Sequence, residues 1–142
     1  MTINEGQVYT QYVTAPRERP PFEWLQKFVW EKQIDTDTDG NAIQPNSTAW
    51  TELTVITRDD KRERFDIDPV REEPLILKIR SEKEHLAARV AYALAVYTGG
   101  KVSESSDGPF DSPQTLISKM GKTFDLSAAL RRNLWLNMPK PV

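Results

Sequence analysis

Three aspartates alternate with threonines in DTDTDGN, residues 35–41, and run into a glycine. Asp35, Asp37 and Asp39 stand at the spacing of positions 1, 3 and 5 of a calcium-binding loop, with Gly40 at the sharp turn of position 6. Hard carboxylate oxygens at that spacing suit calcium. The loop is not completed, however. Position 12 needs a bidentate carboxylate and holds Asn46, position 8 holds Ala42, and Pro45 obstructs an exiting helix. Asp35, Asp37 and Asp39 therefore remain only a weak candidate metal site. The stretch is read as an acidic, hairpin-like loop turning at Asp39-Gly40 or Gly40-Asn41, whose aspartates discourage edge pairing.

Other chemistry is thinner. His85 is the only histidine and the chain has no cysteine, so His- or thiolate-rich metal sites and cysteine nucleophiles are excluded. His85 sits where a helix should begin, and there is no GxSxG motif to supply a nucleophile for it. Gly99-Gly100-Lys101 follows a helix, whereas a phosphate cradle needs its glycines before one. Arg131, Arg132 and Trp135, with Lys119 and Lys122, offer positive charge and an aromatic platform, but no signature of a nucleic-acid module accompanies them. The expectation is a protein that is not an enzyme, needs no cofactor and does not bind nucleic acid.

The elements that must carry these residues fit one domain, residues 1–142, long enough for a core without disulfides. Nineteen basic against 21 acidic residues give a net charge of −2, which calls for neither nucleic acid nor an anionic membrane. The opening MTINEGQVYT lacks the basic and apolar regions of a signal peptide, and the apolar run 86–97 is too short to span a bilayer. A soluble, cytoplasmic protein is expected.

Strands are predicted at 7–14, 49–57, 64–68 and 75–80, from β-branched and aromatic content and period-two alternation. PFEWLQKF, behind Pro21, reads as a short helix, and 29–34 fits either its continuation or a strand. Ser81 and Glu84 form a capping box for an Ala-rich helix over about 82–98, apolar on nearly every side and stopped by Gly99-Gly100. Ser112-Pro113 opens another helix, and Leu126, Leu130 and Leu134 mark a last one. The fold class is α+β: an antiparallel, meander-like sheet, with the buried helix and the C-terminal helices mainly on one face.

The segment LILKIRSEKEHLAARVAYALAVYTGGKVSESSDG, residues 75–108, runs strand, capped Ala-rich helix, Gly-Gly, short strand and Asp-Gly turn. With the hairpin before it, it resembles the plan of small bacterial immunity proteins of polymorphic-toxin, type VI secretion and contact-dependent inhibition systems. The resemblance covers about half the chain and implies a non-catalytic binding module that neutralises a cognate toxin, such as one with a basic surface. On that reading Asp35, Asp37 and Asp39, with Glu104, Asp107 and Asp111, would form the partner-binding surface, and Trp30 a partly exposed anchor beside it. The alternatives are an enzyme using carboxylates and a divalent metal at 35–39, and a phage or structural assembly subunit.

Overall fold

The computed structural model describes residues 8–32, 34–42 and 47–137, with 132–137 by their backbone only. Pro45 and Asn46, where the calcium loop fails, lie outside the described residues, as do the side chains of Arg132, Leu134 and Trp135 and the tail from 138.

The chain is α+β, as its periodicities predict. In chain order come β1 (Tyr9–Thr14), α1 (Phe22–Trp30), β2 (Thr36–Gly40), β3 (Leu53–Thr57), β4 (Arg64–Glu72), β5 (Leu75–Ser81), α2 (Glu84–Thr98), β6 (Val102–Ser103), a 3-10 segment (Pro113–Lys119) and α3 (Leu126–Asn137). The strands make one open sheet in the order β2-β3-β4-β5-β1-β6, antiparallel throughout. Strands β2 to β5 form a meander. The N-terminal β1 is laid beside β5, and β6 closes the far edge.

One parity of each strand builds the core. Val13, Leu53, Val55, Phe65, Ile67, Leu77 and Ile79 are all but fully buried and face the helices. The Ala-rich surface of α2 lets it lie close on this face, and α1 packs beside it through Trp24, Leu25, Phe28 and Val29. Phe28 lies between the rings of Trp24 at 5.7 Å and Tyr92 at 6.2 Å. The 3-10 segment rests on α2, and α3 on α1. No helix among the described residues is long and apolar enough to cross a membrane.

Several boundaries differ from expectation, each for a local reason. Residues 35–41 are not a loop: Thr36 to Gly40 pair with Thr57 to Leu53 as an edge strand. Helix α1 runs to Trp30 and stops at Glu31, whose φ of 63° turns the chain out of the helix. The strand expected from 49 begins only at Leu53. Trp50 leaves the sheet and is buried, its indole Nε1 donating to the Pro20 carbonyl at 2.8 Å. Strand β4 continues past Asp68 through Pro69, which the ladder tolerates at a shift of register between Pro69 and Arg71.

The capping box also fails. Ser81 pairs with Tyr9 as the last residue of β5 and donates from Oγ to the Arg64 carbonyl at 2.7 Å. The ladder holds Ser81 extended, so α2 starts at Glu84 behind Lys83, without a side-chain cap. Gly99 does end α2 in the left-handed region, with φ 76°, as the C-cap reading predicts. The segment after Ser112-Pro113 is 3-10 rather than α.

Candidate partner-binding surface

The uncovered face of the sheet is built from the other parity of the same strands. Antiparallel partners point to the same side, so the registers define rows across the face. One row runs Asp37, Ile56, Arg64. The next runs Asp39, Thr54, Asp66, Arg80, Thr10. A third runs Asp68, Lys78, Tyr12, Ser103. Charge therefore grades across the face, from acidic on β2, through mixed on β4, to basic on β5, and then to hydroxyl-bearing side chains on β1.

Local ion pairs hold these side chains upright. Arg58 grips Asp37 through Nε at 2.8 Å and a terminal nitrogen at 2.7 Å, and this bond, ahead of the neighbouring Asp35 charge, raises the Arg58 pKa. Asp66 accepts from Thr54 Oγ1 at 2.6 Å and from Arg64 at 3.1 Å. The Asp66 bond raises the Arg64 pKa. Arg80 reaches diagonally to Asp68 at 3.2 Å. Between them lies a concavity of about 410 Å³, with Ile56 and Val8 as its apolar part and Arg62, Arg64, Asp66, Arg80 and Glu82 around it. Among the described residues, Val8 is one of the few large apolar side chains left exposed.

The three aspartates of 35–39 are exposed, but an extended backbone spreads them. Side chains two apart on one strand face stand about 6.7 Å from each other. Calcium ligands must converge to within 2.3–2.6 Å of one ion. Among the described residues, no group of three or more His, Asp or Glu could hold a metal ion. Asp39 instead accepts from its neighbour's Gly40 N–H at 2.8 Å. Gly40 is required not for a calcium turn but because a Cβ there would stand 2.2 Å from the Glu52 carbonyl oxygen.

The sheet does not bring the seven expected binding residues together. Asp37 and Asp39 lie on edge strand β2 and Asp35 directly before it. Glu104, Asp107 and Asp111 follow β6 at the opposite edge. Five inter-strand gaps separate the two groups, about 24 Å at about 4.8 Å per gap. Glu104 is paired with Lys119, Asp107 is exposed in a turn, and Asp111 pairs its backbone with Val102. Trp30 is half-buried on the helix side of the sheet. It stacks on Phe65 at 5.8 Å and donates to Glu63 Oε1 at 2.8 Å, away from the face that carries Asp37 and Asp39.

Glu63 also faces His85, Oε2 to Nε2 at 3.8 Å. Burial, then the charge of Arg89, push the His85 pKa down, against the pull of Glu63. This cluster ties the start of α2 to the end of α1. Ile56, Arg64, Asp66 and Arg80, which line the concavity, were not among the residues expected from the sequence. The signal for Arg64, Asp66 and Arg80 was present in the polar half of the strand alternation. No family model, no curated protein and no solved structure matches the chain.

Proposed function

We propose that the chain is a non-catalytic protein-binding module that meets its partner with the β2 edge and the adjoining open face of the sheet. The observation that carries this reading is the register. It places Asp37 and Asp39 in the same rows as Ile56, Arg64, Asp66 and Arg80, so one edge and one concavity form a continuous, charge-graded surface. Arginine around a small apolar floor is the composition of an interface centre, and the outlying aspartates supply steering charge. The finer form is an immunity-type protein acting in the cytoplasm against a cognate toxin with a basic surface. It rests on the architectural resemblance of residues 75–108 and on the acidity of the β2 edge. Glu104, Asp107 and Asp111 belong to a separate patch on this reading.

The test pairs the protein with a toxin domain encoded beside it and follows association by stopped flow across a salt series. Asp37→Ala/Asp39→Ala should slow association by about three- to tenfold at low salt and flatten its salt dependence, leaving dissociation nearly unchanged. Arg80→Glu, inside the concavity, should act mainly on dissociation. If the double variant and Arg80→Glu both associate and dissociate as the wild type does, the partner does not use this surface. If the toxin domain does not bind at all, the immunity form of the proposal fails.

A further inference from the structure

The backbone of β2 has one side committed to β3 and the other facing outward. The Arg58 N–H donates to the Asp35 carbonyl and the Asn41 N–H to the Glu52 carbonyl, each at 3.0 Å. Bonded pairs alternate along an antiparallel ladder, so Asp35, Asp37, Asp39 and Asn41 turn their backbone groups toward β3. Thr36, Thr38 and Gly40 turn theirs outward. Thr57, opposite Thr36, fixes the phase: its N–H donates to the Glu63 carbonyl, on the far side of β3, at 2.9 Å. The outward Gly40 N–H is taken by the Asp39 carboxylate. The N–H and C=O of Thr36 and of Thr38 have no backbone partner among the described residues. Two residues apart on one edge, they have the spacing at which an added strand bonds.

The surroundings hold this edge ready. The Thr36 hydroxyl donates to Oε1 of the buried Gln26 at 3.0 Å, which ties β2 to α1. Thr38 has the same helix-side parity but is exposed, so the described helices do not cover that end of the strand. The strand is fixed from within and open along its outer edge, which lowers the ordering cost of pairing.

The aspartates set which sequence fits. In an added antiparallel strand, the residues opposite Thr36 and Thr38 make the hydrogen-bonded pairs. Those opposite Asp37 and Asp39 fall at the close, non-bonded positions, with Cα atoms about 4.5 Å apart and side chains on the open face. Asp39 meets an incoming cation directly. At Asp37 the cation shares the carboxylate with Arg58.

We propose that a partner adds to β2 as an antiparallel strand, with lysine or arginine opposite Asp37 and Asp39 and β-branched residues between them. The backbone ladder supplies the pairing and the aspartates select the sequence. This rests on the function proposed above and specifies how its β2 edge is used.

The probe is a short acetylated and amidated peptide in which lysine alternates with valine and threonine. It is titrated into the ¹⁵N-labelled full chain and followed by two-dimensional NMR. Saturable shifts and slowed hydrogen exchange of the Thr36 and Thr38 amides are expected. The same peptide with glutamate for lysine should not bind. Thr38→Pro removes an N–H that β3 does not use, and an edge strand tolerates proline there, so the fold should persist. It should weaken the lysine peptide by about tenfold, the factor of one lost hydrogen bond. Asp39→Ala should weaken it by about threefold. A second measurement leaves the protein untouched. N-methylation of the peptide's valines and threonines should abolish binding, and N-methylation of its lysines should not.

If Thr38→Pro binds the peptide as the wild type does while Asp39→Ala weakens it, charge alone holds the peptide and strand addition is overturned. Blocking by N-methylated lysine overturns the register. Equal binding of the glutamate peptide overturns the sequence rule. A dimer that grows with concentration and is lost in Thr38→Pro makes a second copy the occupant and overturns the proposal. Against a cognate protein, sensitivity to Arg80→Glu without sensitivity to Thr38→Pro refutes strand addition alone, and sensitivity to neither refutes the whole surface.

Discussion

Replacing Arg89 tests what joins the helix layer to itself. Arg89 lies on α2 and is only 8% exposed. Nε donates to the Met120 carbonyl at 2.8 Å and a terminal nitrogen donates to the Val29 carbonyl at 2.9 Å. The guanidinium carbon stands 4.1 Å from the centre of the Phe124 ring. Val29 is in the last turn of α1, where carbonyls have no intrahelical partner, and Met120 caps the 3-10 segment. Arg89→Met would leave both carbonyls without their donor. Two charge-assisted bonds at about 1.5–3 kcal/mol each, with about 0.5–1 kcal/mol from the ring contact, give a gross loss of about 4–7 kcal/mol. Against this, burial works against the charge and pushes the Arg89 pKa down, despite Glu31 and Glu63. Methionine recovers that cost, several kcal/mol for a buried ion. The net expectation is a loss of about 3 kcal/mol, or about 10 °C in Tm for a chain of this size. Arg89→Lys keeps the buried charge, but its point donor cannot span both carbonyls, so it should be no more stable than Arg89→Met. Urea and thermal unfolding measure both. If Arg89→Met lies within about 1 kcal/mol of wild type, or if Lys restores wild-type stability, the carbonyls do not depend on the guanidinium and the reasoning fails.

The two glycines after α2 should respond unequally. A Cβ at Gly100 would meet the Thr14 carbonyl oxygen at 1.7 Å, a backbone atom fixed in β1. At Gly99 it would meet the side-chain end of Arg17 at 2.7 Å, which can yield more readily than backbone, with φ 76°. Gly100→Ala should cost about 3 kcal/mol or more and Gly99→Ala about 1–2 kcal/mol, compared by urea denaturation, and equal losses would contradict the close approach. The pH dependence should come from His85, the only histidine. Its folded pKa lies below the ordinary 6.5, so the unfolded chain binds the extra proton. Its contribution to stability is full above about pH 6.5 and is lost as pH falls from there through the folded pKa. His85→Gln should flatten that window; an NMR titration of the imidazole with a midpoint at 6.5 would abolish the effect, and one above 6.5 would reverse its sign.

The sheet was legible in the sequence because alternation is a local signal. Phe65 and Ile67, or Leu77 and Ile79, announce the buried face without reference to anything distant. The same alternation hid the proposed binding face, since Arg64, Asp66 and Arg80 read singly as solvated charges. Only the registers joining β2, β3, β4 and β5 assemble them into rows. Two misreadings have the same cause. Ser81 has the type and spacing of an N-cap, but its pairing with Tyr9, more than 70 residues away, holds it in the sheet. Asp35 to Gly40 has the spacing of a calcium loop, but pairing with β3 stretches it. Arg89, a charge on an otherwise apolar helix, carried a signal that helical periodicity could not interpret, because its partners are backbone carbonyls 31 and 60 residues away.

The two ends of the sheet solve the problem of exposed edges differently, and this favours the β2 side as the meeting point for a protein. At the far end β6 is only two residues long, and the chain returns through Asp111 to bond Val102 in both directions, N–H to carbonyl at 2.9 and 2.8 Å. That edge is short and partly occupied by its own chain. Strand β2 is five residues long and forms the outermost strand at its end of the sheet. Its protection is electrostatic: Asp39, and Asp37 to the extent that its pairing with Arg58 leaves it charge, repel an identical edge from another copy. Repulsion of like edges is selective in a way that steric covering is not, because a strand or loop carrying lysine or arginine meets the same aspartates as partners. A surface that rejects its own copy and accepts a basic stranger is suited to one cognate protein. On the proposed reading it is the asymmetry of the edges, rather than the total charge of −2, that would carry that specificity.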